Sequence, residues 1–227
     1  MEERGRGLRL YGRQVGHGGL RPSHKSAFER IYPALRLDDT GPCLDISDIG
    51  ETVWLEIGFG SGEHLLWQAE QNLDVQMIGV EPFQTGVAKC LLGCAARGLD
   101  NVRLCAGDGR SFVERFPDES VDRVFVLHPD PWPKWRHAKR RLIQPQFLNS
   151  LSRILRPGGE LRIGTDWPDY SCWALRHLLV HPAFEWRAKT AQDWQGRPQD
   201  WPETRYAVKA KKEGRRDVHL SFVRRAR

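Results

Sequence analysis

The sequence lacks the features of secreted, disulfide-bonded and membrane-spanning proteins. Its five cysteines include no Cys-x-x-Cys pair, so we expect neither a disulfide framework nor a bound metal such as zinc. No apolar run approaches the roughly 20 residues that a membrane span requires. The N-terminus is rich in arginine and has no hydrophobic segment of the signal-peptide type. These absences predict a cytoplasmic protein with no membrane partner.

An excess of positive charge is the main feature of the composition. Lys and Arg number 35 against 29 Asp and Glu, which gives a net charge of +6 and a pI near 9.2. The cations fall into three segments, and segments that converge in space are typical of a polyanion-binding surface. Each segment alone also fits an ordinary solvated surface. The segments are Arg4, Arg6, Arg9 and Arg13; residues 134–141; and Lys209, Lys211, Lys212, Arg215, Arg216, Arg224, Arg225 and Arg227.

The pattern along the chain predicts a short arm followed by one domain. Residues 1–22 are rich in Gly and Arg and poor in apolar residues, which predicts a flexible basic arm. Residues 23–227 have a length typical of a single domain. Ser23 is predicted to cap a helix that continues to about Leu35, and residues 37–50 are predicted to form a linker.

Strand and helix patterns alternate after the linker. Strands are predicted over 52–57, 75–80, 101–106, 121–127 and 160–164. Helices are predicted from a glycine-rich turn to about 72, over 84–97, after 108, over 144–155 and over 168–180. Segments 184–189 and 218–223 are predicted to form an antiparallel pair. Repeated strand–helix units predict an α/β fold, with a mostly parallel sheet and helices on both of its faces.

A glycine-rich turn follows the first of these strands. Gly58, Gly60 and Gly62 have the spacing G-x-G-x-G, whereas the dinucleotide fingerprint requires a glycine where Glu63 stands. A carboxylate beside a helix N-terminus also suits a pyrophosphate poorly. The turn therefore predicts a cofactor with a cationic centre and no phosphates, such as S-adenosylmethionine.

Acidic residues at successive strand ends support this interpretation. Glu56 lies in the first strand, Glu81 ends the second at 19 residues beyond Gly62, and Asp108 follows the third. An acid at the position of Glu81 accepts hydrogen bonds from ribose hydroxyls. Asp108 is placed to accept from an adenine amino group.

The loop after the fourth strand combines a carboxylate, an aromatic ring and cations. Asp130 and Trp132 stand in the proline-rich segment 129–134, and five cations lie within residues 134–141. Loops at the carboxyl ends of strands bind ligands in open α/β sheets. An acceptor for a base edge, a stacking surface and charge that neutralises phosphate together favour an enzyme that acts on RNA.

With this loop, the glycine turn and the segment Gly164-Thr165-Asp166-Trp167, the chain resembles the bacterial tRNA (guanine-N7-)-methyltransferases over roughly residues 10–223. The resemblance implies a Rossmann-like, seven-stranded fold that uses S-adenosylmethionine. It also implies methyl transfer to N7 of a guanosine at position 46, in the variable loop of tRNA. The implied cofactor ligands are Glu56, Gly58, Gly60, Glu81, Asp108 and Asp130; the substrate contacts are Lys134, Asp166, Thr204, Arg205 and Tyr206; and the RNA contacts are Arg136, His137, Lys139, Arg140 and Arg141.

Three positions depart from the family's pattern. The segment that begins at Thr204 usually ends in glutamate three residues later, and here that position is Ala207, so one expected guanosine contact is missing. His128 stands where an aromatic residue is usual, and Trp135 where a lysine or a small residue is common.

The chemistry of guanine predicts what the enzyme has to do. N7 carries a lone pair and no proton, so it can attack the sulfonium methyl group without a general base. The protein's task is then alignment in a water-poor site, and we expect Asp130, the predicted catalytic residue, to position groups. Asp130 and Asp166 are predicted to grip the N1–H and N2–H₂ edge. Trp132 or Trp167 is predicted to stack on the unstacked base.

Two alternative functions remain open from the residues alone. The first is a methyltransferase of a small molecule or a protein, which leaves the basic segments unexplained. The second is a catalytically weak tRNA-binding protein, which Ala207 favours. The sequence does not discriminate between a monomer and a homodimer.

Overall fold

The fold is an eight-stranded mixed sheet, seen in a computed structural model that describes residues 19–45 and 50–226. The strand order is β1-β4-β3-β2-β5-β6-β8-β7, and β1 to β6 pair in parallel whereas β8 is antiparallel to β6 and β7. Most of the predicted basic arm, residues 1–18, lies outside the described residues. The strands are β1 Arg36–Leu37, β2 Thr52–Ile57, β3 Val75–Val80, β4 Val102–Cys105, β5 Val121–Leu127, β6 Leu155–Thr165, β7 Phe184–Trp186 and β8 Val218–Arg224.

The mostly parallel α/β fold and the antiparallel pair near the C-terminus are confirmed. Seven of the eight strands are those expected. The additional strand, β1, has two residues that pair with Leu104 and Cys105 at the sheet edge, and it begins directly before the segment predicted as a linker. A two-residue strand leaves no periodic pattern in the sequence, so its absence from the prediction has a simple cause.

Helices cover both faces of the sheet. The helices are α1 Pro22–Arg30, α2 Tyr32–Leu35, α3 Glu63–Gln71, α4 Gln84–Arg97, α5 Gly109–Val113, the 3₁₀ helix Trp135–Arg140, α6 Pro145–Ile154, α7 Pro168–Leu179, α8 Gln192–Gln195 and α9 Arg205–Lys212. The sequence predicts α3 to α7, whereas α8, α9 and the 3₁₀ helix are not predicted. None of the described helices is long and apolar enough to cross a membrane.

Two predicted boundaries were wrong. The helix expected from Ser23 to Leu35 begins at Pro22 without a side-chain cap and is divided at Ile31, because Pro33 has no N–H for a continuous helix and stands instead in the first turn of α2. The glycines after Pro157 lie inside β6, where the pairing with β5 shifts register, and Gly158 takes a φ of 82°. β6 therefore starts five residues before Glu160, where the strand was predicted.

Successive side chains of the central strands point to opposite faces of the sheet and belong to two separate hydrophobic cores. Met77 packs with α3 and α4, and the next residue, Ile78, packs on the opposite face with α5 and α6. All six residues of β3 are buried, as expected of a strand that is covered on both faces. This packing fixes the register of the parallel strands, so their carboxyl ends form one edge. That edge carries the candidate site.

Candidate active site

The glycine loop between β2 and α3 is held against α4. Gly58, Gly60 and Gly62 all take positive φ, at 76°, 59° and 82°. A Cβ atom on Gly86 of α4 would lie 2.1 Å from the carbonyl oxygen of Gly60, so the two backbones touch. A Cβ atom on Gly58 would meet no atom within 4 Å, so this glycine faces open space. The loop thus leaves room for a ligand close to its backbone.

Glu81 joins this loop to the end of β3. Its Oε2 accepts a hydrogen bond from Gly60 N–H at 2.8 Å, and its Oε1 accepts one from Phe83 N–H at 2.9 Å. Burial raises the pKa of Glu81, and the two N–H donors oppose that effect. Each carboxylate oxygen has a second lone pair, which is available to a ligand hydroxyl.

A cavity of about 420 Å³ opens beside these groups, within the size range of small-molecule sites. It is bounded by the glycine loop, the ends of β3 and β4, and the loop after β5. Five of the predicted cofactor residues line it: Gly58, Gly60, Glu81, Asp108 and Asp130. Trp132, Arg140 and Arg205 are also among its lining residues. Asp108 also caps α5, because its Oδ1 accepts from Arg110 N–H at 2.8 Å.

Glu56, also predicted as a cofactor ligand, is not among the residues that line this cavity. It is 2% exposed, and its Oε2 lies 2.8 Å from Nδ1 of His64. Nε2 of His64 lies 3.1 Å from Nε2 of Gln68, which also donates to the carbonyl of Asp200. Glu56 and His64 line a smaller cavity that shares Gly58 and Ser61 with the larger one. The contact between Glu56 and His64 thus links β2 to α3, and Gln68 links α3 to Asp200, just before Thr204.

The loop after β5 is held in an uncommon backbone conformation. His128 and Trp132 take φ values of 46° and 42°, which are rare outside glycine and cluster at functional sites. Between them, Asp130 reaches the cavity, and burial raises its pKa. Arg141 is 5% exposed and donates to the carbonyls of Pro131 and Trp132. The structure thus buries Arg141, an expected RNA contact, under the loop that it braces.

The other cations of residues 134–141, apart from the half-buried Arg140, face solvent. Lys134, Arg136 and Lys139 are exposed. His137 packs edge-on against Trp132 at 5.6 Å between ring centroids, and the Arg140 guanidinium lies 4.9 Å from the same ring. Desolvation, helped by Arg140, Arg136 and Lys134, lowers the pKa of His137.

Asp166 stands at the end of β6 in a cluster of charges. Its Oδ2 accepts from Nε of Arg215 at 2.7 Å, and its Oδ1 lies 3.6 Å from Nδ1 of His128. One ligand atom each of His128, Asp166 and Asp217 lies within 4.8 Å of the other two. Such a trio has the composition of a cation site, but the Arg215 guanidinium already supplies positive charge to it. Burial raises the pKa of Asp217, and its Oδ1 is buried without a hydrogen-bond partner.

The segment from Thr204 begins α9. Thr204 caps this helix by accepting from Ala207 N–H at 3.3 Å, and it also lines the smaller cavity. Arg205 lines the larger cavity, and its N–H donates to Oε2 of Glu63 at 2.8 Å. The backbone of Tyr206 lies in α9, and its side chain is outside the described part of the structure.

Sequence reasoning missed the partners that link these elements. The sequence pattern around Glu63 indicates only that the turn does not bind a dinucleotide, whereas in the structure Glu63 binds the first turn of α9. The sequence pattern makes Arg215 one cation of the basic C-terminal segment, whereas in the structure it pairs with Asp166. Asp217 has no motif around it, because its position follows from the antiparallel pairing of β8 with β6, where Val218 faces Thr165.

Comparisons with known proteins agree with this arrangement. Residues 50–220 match the model of a family described as putative methyltransferase. A tRNA (guanine-N(7)-)-methyltransferase of Rhodospirillum rubrum is 44% identical over 96% of this chain and 89% of its own length.

Solved structures show the same fold at low sequence identity. The 16S rRNA methyltransferase KamB has a TM-score of 0.54 at 14% identity, covering 82% of this chain and 96% of that one. A 16S rRNA (adenine(1408)-N(1))-methyltransferase of Catenulisporales acidiphilia, solved with its cosubstrate SAM, has a TM-score of 0.51 at 18% identity, covering 81% and 92%. The sheet described above is therefore a Rossmann-like methyltransferase fold.

Proposed function

The chain belongs to the tRNA (guanine-N(7)-)-methyltransferase family, and we propose that it methylates N7 of a guanosine in the variable loop of tRNA. S-adenosylmethionine is the methyl donor. One observation carries the proposal: Glu81, Asp130 and Arg140 border one cavity at the carboxyl edge of the sheet, where the glycine loop, a carboxylate loop and a basic segment meet. We also propose a cytoplasmic location, as expected of an enzyme whose substrate is tRNA.

The residues around the larger cavity fit the donor. Its volume of about 420 Å³, the open space beside Gly58 and the acceptor capacity of Glu81 suit an adenosine with free ribose hydroxyls. Glu81 would accept from those hydroxyls, and Asp108 would accept from the adenine amino group. S-adenosylmethionine supplies an electrophilic methyl group on a positively charged sulfur. The uncharged walls formed by Ile57 and Val80 help to exclude water.

The carboxylates act on the guanine. Its N7 atom has a lone pair and no proton, so no side chain needs to remove a proton before attack. Asp130 and Asp166 lie after neighbouring strands β5 and β6, where they would accept from N1–H and N2–H₂. Methylation leaves a positive charge on the base, and ionised carboxylates stabilise that charge as it develops. Their contribution is positioning and electrostatics.

Asp217 is a candidate for the carboxylate that Ala207 lacks. It lies within 4.8 Å of Asp166 and His128, and His128 lines both cavities. Its Oδ1 has no hydrogen-bond partner but is closed to solvent, so a donor group of the substrate would reach it only after neighbouring side chains move. Asp217 and Asp166 would then both bind the guanine edge, together with Asp130. The Arg215 guanidinium would reduce the repulsion between Asp217 and Asp166.

Exposed cations beside the cavity would neutralise the RNA backbone. Lys134, Arg136 and Lys139 lie on the same segment as cavity-lining Arg140. His137 packs on Trp132 at the cavity wall, so it would meet the RNA near the target base. Contacts of this kind position the substrate and are salt-dependent.

The test is nucleoside mass spectrometry of unmodified tRNA transcripts after incubation with the protein and S-adenosylmethionine. We expect 7-methylguanosine, and digestion to fragments should place it in the variable loop. A transcript made with 7-deazaguanosine triphosphate lacks N7 and is the matched control, which should stay unmethylated. Methylation of the control, or a different methylated nucleoside, would reject the proposal. Tight tRNA binding without any methylation would favour the weak-enzyme alternative that Ala207 suggests.

A further inference from the structure

Trp135 is the most exposed tryptophan of the chain. Its side chain is 77% exposed, whereas Trp167 is 36% exposed and the other seven tryptophans are buried or half-buried. Water solvates a large indole surface poorly, so an exposed tryptophan is typical of a binding surface.

The ring stands on a fixed support. Trp135 packs edge-on against Trp173 of α7, with centroids 6.3 Å apart and ring planes at 77°. Trp173 Nε1 donates to the carbonyl of Ile143 at 2.6 Å, and the buried Arg141 guanidinium lies 5.0 Å from its ring. His177 covers Trp173 further along the helix, at 4.3 Å between centroids. Trp135 thus keeps its position while most of its surface faces solvent.

The chain segment that carries Trp135 is positively charged. Lys134, Arg136 and Lys139 are exposed on the same short segment, and residues 131–143 contain no Asp or Glu. An exposed aromatic ring among cations suits a nucleic acid strand, because the ring stacks on a base while the cations meet its phosphates. An acidic protein surface would use the cations but would leave the indole without a matching flat ring.

The position of Trp135 relates it to the cavity. The 3₁₀ helix carries Arg140 and follows Trp132 on the cavity side, while Trp135 packs on the other side toward α7. We propose that Trp135 stacks on an unpaired base of the tRNA, close to the nucleotide whose guanine enters the cavity. This inference rests on the proposed function, and it assigns a base contact outside the site for the methylated guanosine.

The test measures tRNA affinity at several salt concentrations for Trp135→Ala, Trp135→Phe and Lys139→Ala. Stacking on one base predicts that Trp135→Ala weakens binding by roughly 5- to 150-fold. Because no counterion is released by a neutral ring, the salt slope should stay at its wild-type value. Lys139→Ala should instead reduce the slope by about 0.7–0.9. Trp135→Phe keeps an aromatic face and should retain most of the affinity.

Controls separate stacking from other effects. Leu73→Ala removes another apolar side chain, which is 72% exposed. Leu73 lies before the amino-terminal end of β3, at the end of the strands opposite to the cavity, so this variant should bind tRNA normally. The fluorescence of a 2-aminopurine next to the target guanosine should be quenched by wild type and less so by Trp135→Ala.

Wild-type affinity of Trp135→Ala, or a changed salt slope, would overturn the proposal. So would a shift of Trp135→Ala in sedimentation toward a smaller species, which would mean that the ring binds a second copy of the chain. Failure of wild type to form 7-methylguanosine would reject the proposed function without affecting these binding results.

Discussion

The hydrogen bond from Gly60 N–H to Oε2 of Glu81, at 2.8 Å, joins the glycine loop to the neighbouring strand. The other oxygen of Glu81 accepts from Phe83 N–H, so the carboxylate orders two backbone segments at once. It also borders the cavity that suits the cofactor. One side chain therefore shapes the loop and offers acceptors to the ribose, and its loss should weaken cofactor binding by both routes.

Glu81→Gln should lower the affinity for S-adenosylmethionine by about 10- to 150-fold, because charged hydrogen bonds are each worth roughly 1.5–3 kcal/mol. Glutamine has one acceptor oxygen, so the N–H of either Gly60 or Phe83 loses its partner. Isothermal titration calorimetry measures the affinity directly. Glu70→Gln, which removes a surface ion pair with Arg97, is the matched control and should bind normally. Equal affinities of the two variants would refute this role of Glu81.

His219→Phe should make the protein less sensitive to acid. Burial, with smaller effects of His128 and Arg197, lowers the pKa of His219 to about 4. The unfolded chain takes up a proton near pH 6.5, whereas the folded chain stays neutral until about pH 4. Stability from this residue is therefore present above pH 6.5 and is lost as pH falls toward 4. Between pH 7.5 and 5 the loss is about 2 kcal/mol.

Urea unfolding at pH 7.5 and pH 5 tests this linkage. The wild type should lose more stability than His219→Phe between the two pH values. Phenylalanine preserves the ring that packs edge-on against Trp201 at 4.9 Å, so a general loss of packing is avoided. Nδ1 of His219 has no hydrogen-bond partner, and its removal leaves no donor unsatisfied. An identical pH dependence of both proteins would contradict the prediction.

Sequence reasoning located the elements whose signals are local. The strand over 75–80 is apolar except for Gln76, and the helix over 84–97 ends at Gly98, which takes a positive φ. The glycine turn and Glu81 could be predicted because a fixed spacing links them. Asp108 caps a helix, so its position after β4 also follows from local chemistry.

The remainder depends on contacts between distant segments. Arg215 reaches Asp166 across 49 residues, and Glu63 binds the N–H of Arg205 across 142. No local pattern encodes such pairs, because the sheet order places the segments together. Arg141 illustrates the opposite error: its place in a basic run predicts a surface cation, whereas the carbonyls of Pro131 and Trp132 hold it in the interior.

Asp130→Asn should lower the methyl transfer rate by about 10- to 150-fold, through loss of a charge-assisted hydrogen bond of roughly 1.5–3 kcal/mol to the guanine. Burial raises the pKa of Asp130, and the ionised form is the one that accepts from the base and stabilises its developing charge. Wild-type activity should therefore fall as pH decreases through that raised pKa. Asparagine does not titrate, so the residual activity of the variant should lack this decline.

Single-turnover rates with saturating tRNA and S-adenosylmethionine, measured between pH 4.5 and 8, give both profiles. Saturation removes the effect of pH on binding. Asp118→Asn changes an exposed aspartate at the opposite end of β5, close to Arg153, and should reproduce the wild-type profile. Parallel acid limbs in wild type and Asp130→Asn would show that another group is titrating.

The pair Asp217 and Ala207 gives the sharpest test of how this chain grips guanine. If Asp217 supplies the carboxylate missing at position 207, Asp217→Asn should lower kcat/KM by about 10- to 150-fold, as expected for a charged hydrogen bond. Ala207→Glu alone should change turnover little, because an acceptor is already present. Ala207→Glu added to Asp217→Asn should recover a substantial part of the loss, which a merely structural role of Asp217 would not allow.

Glu203→Gln distinguishes this assignment from its nearest rival. Glu203 is exposed, precedes Thr204 and lies close enough to Asp217 to affect its pKa, so it is another acidic residue that could reach the guanosine. We expect Glu203→Gln to keep wild-type kcat/KM. The double variant Glu203→Gln with Ala207→Glu should then have the same kcat/KM as Ala207→Glu alone. A large defect in Glu203→Gln together with normal activity of Asp217→Asn would transfer the role to Glu203. In that case Asp217 would serve only the charge balance around Arg215 and Asp166, where its pKa is raised by burial.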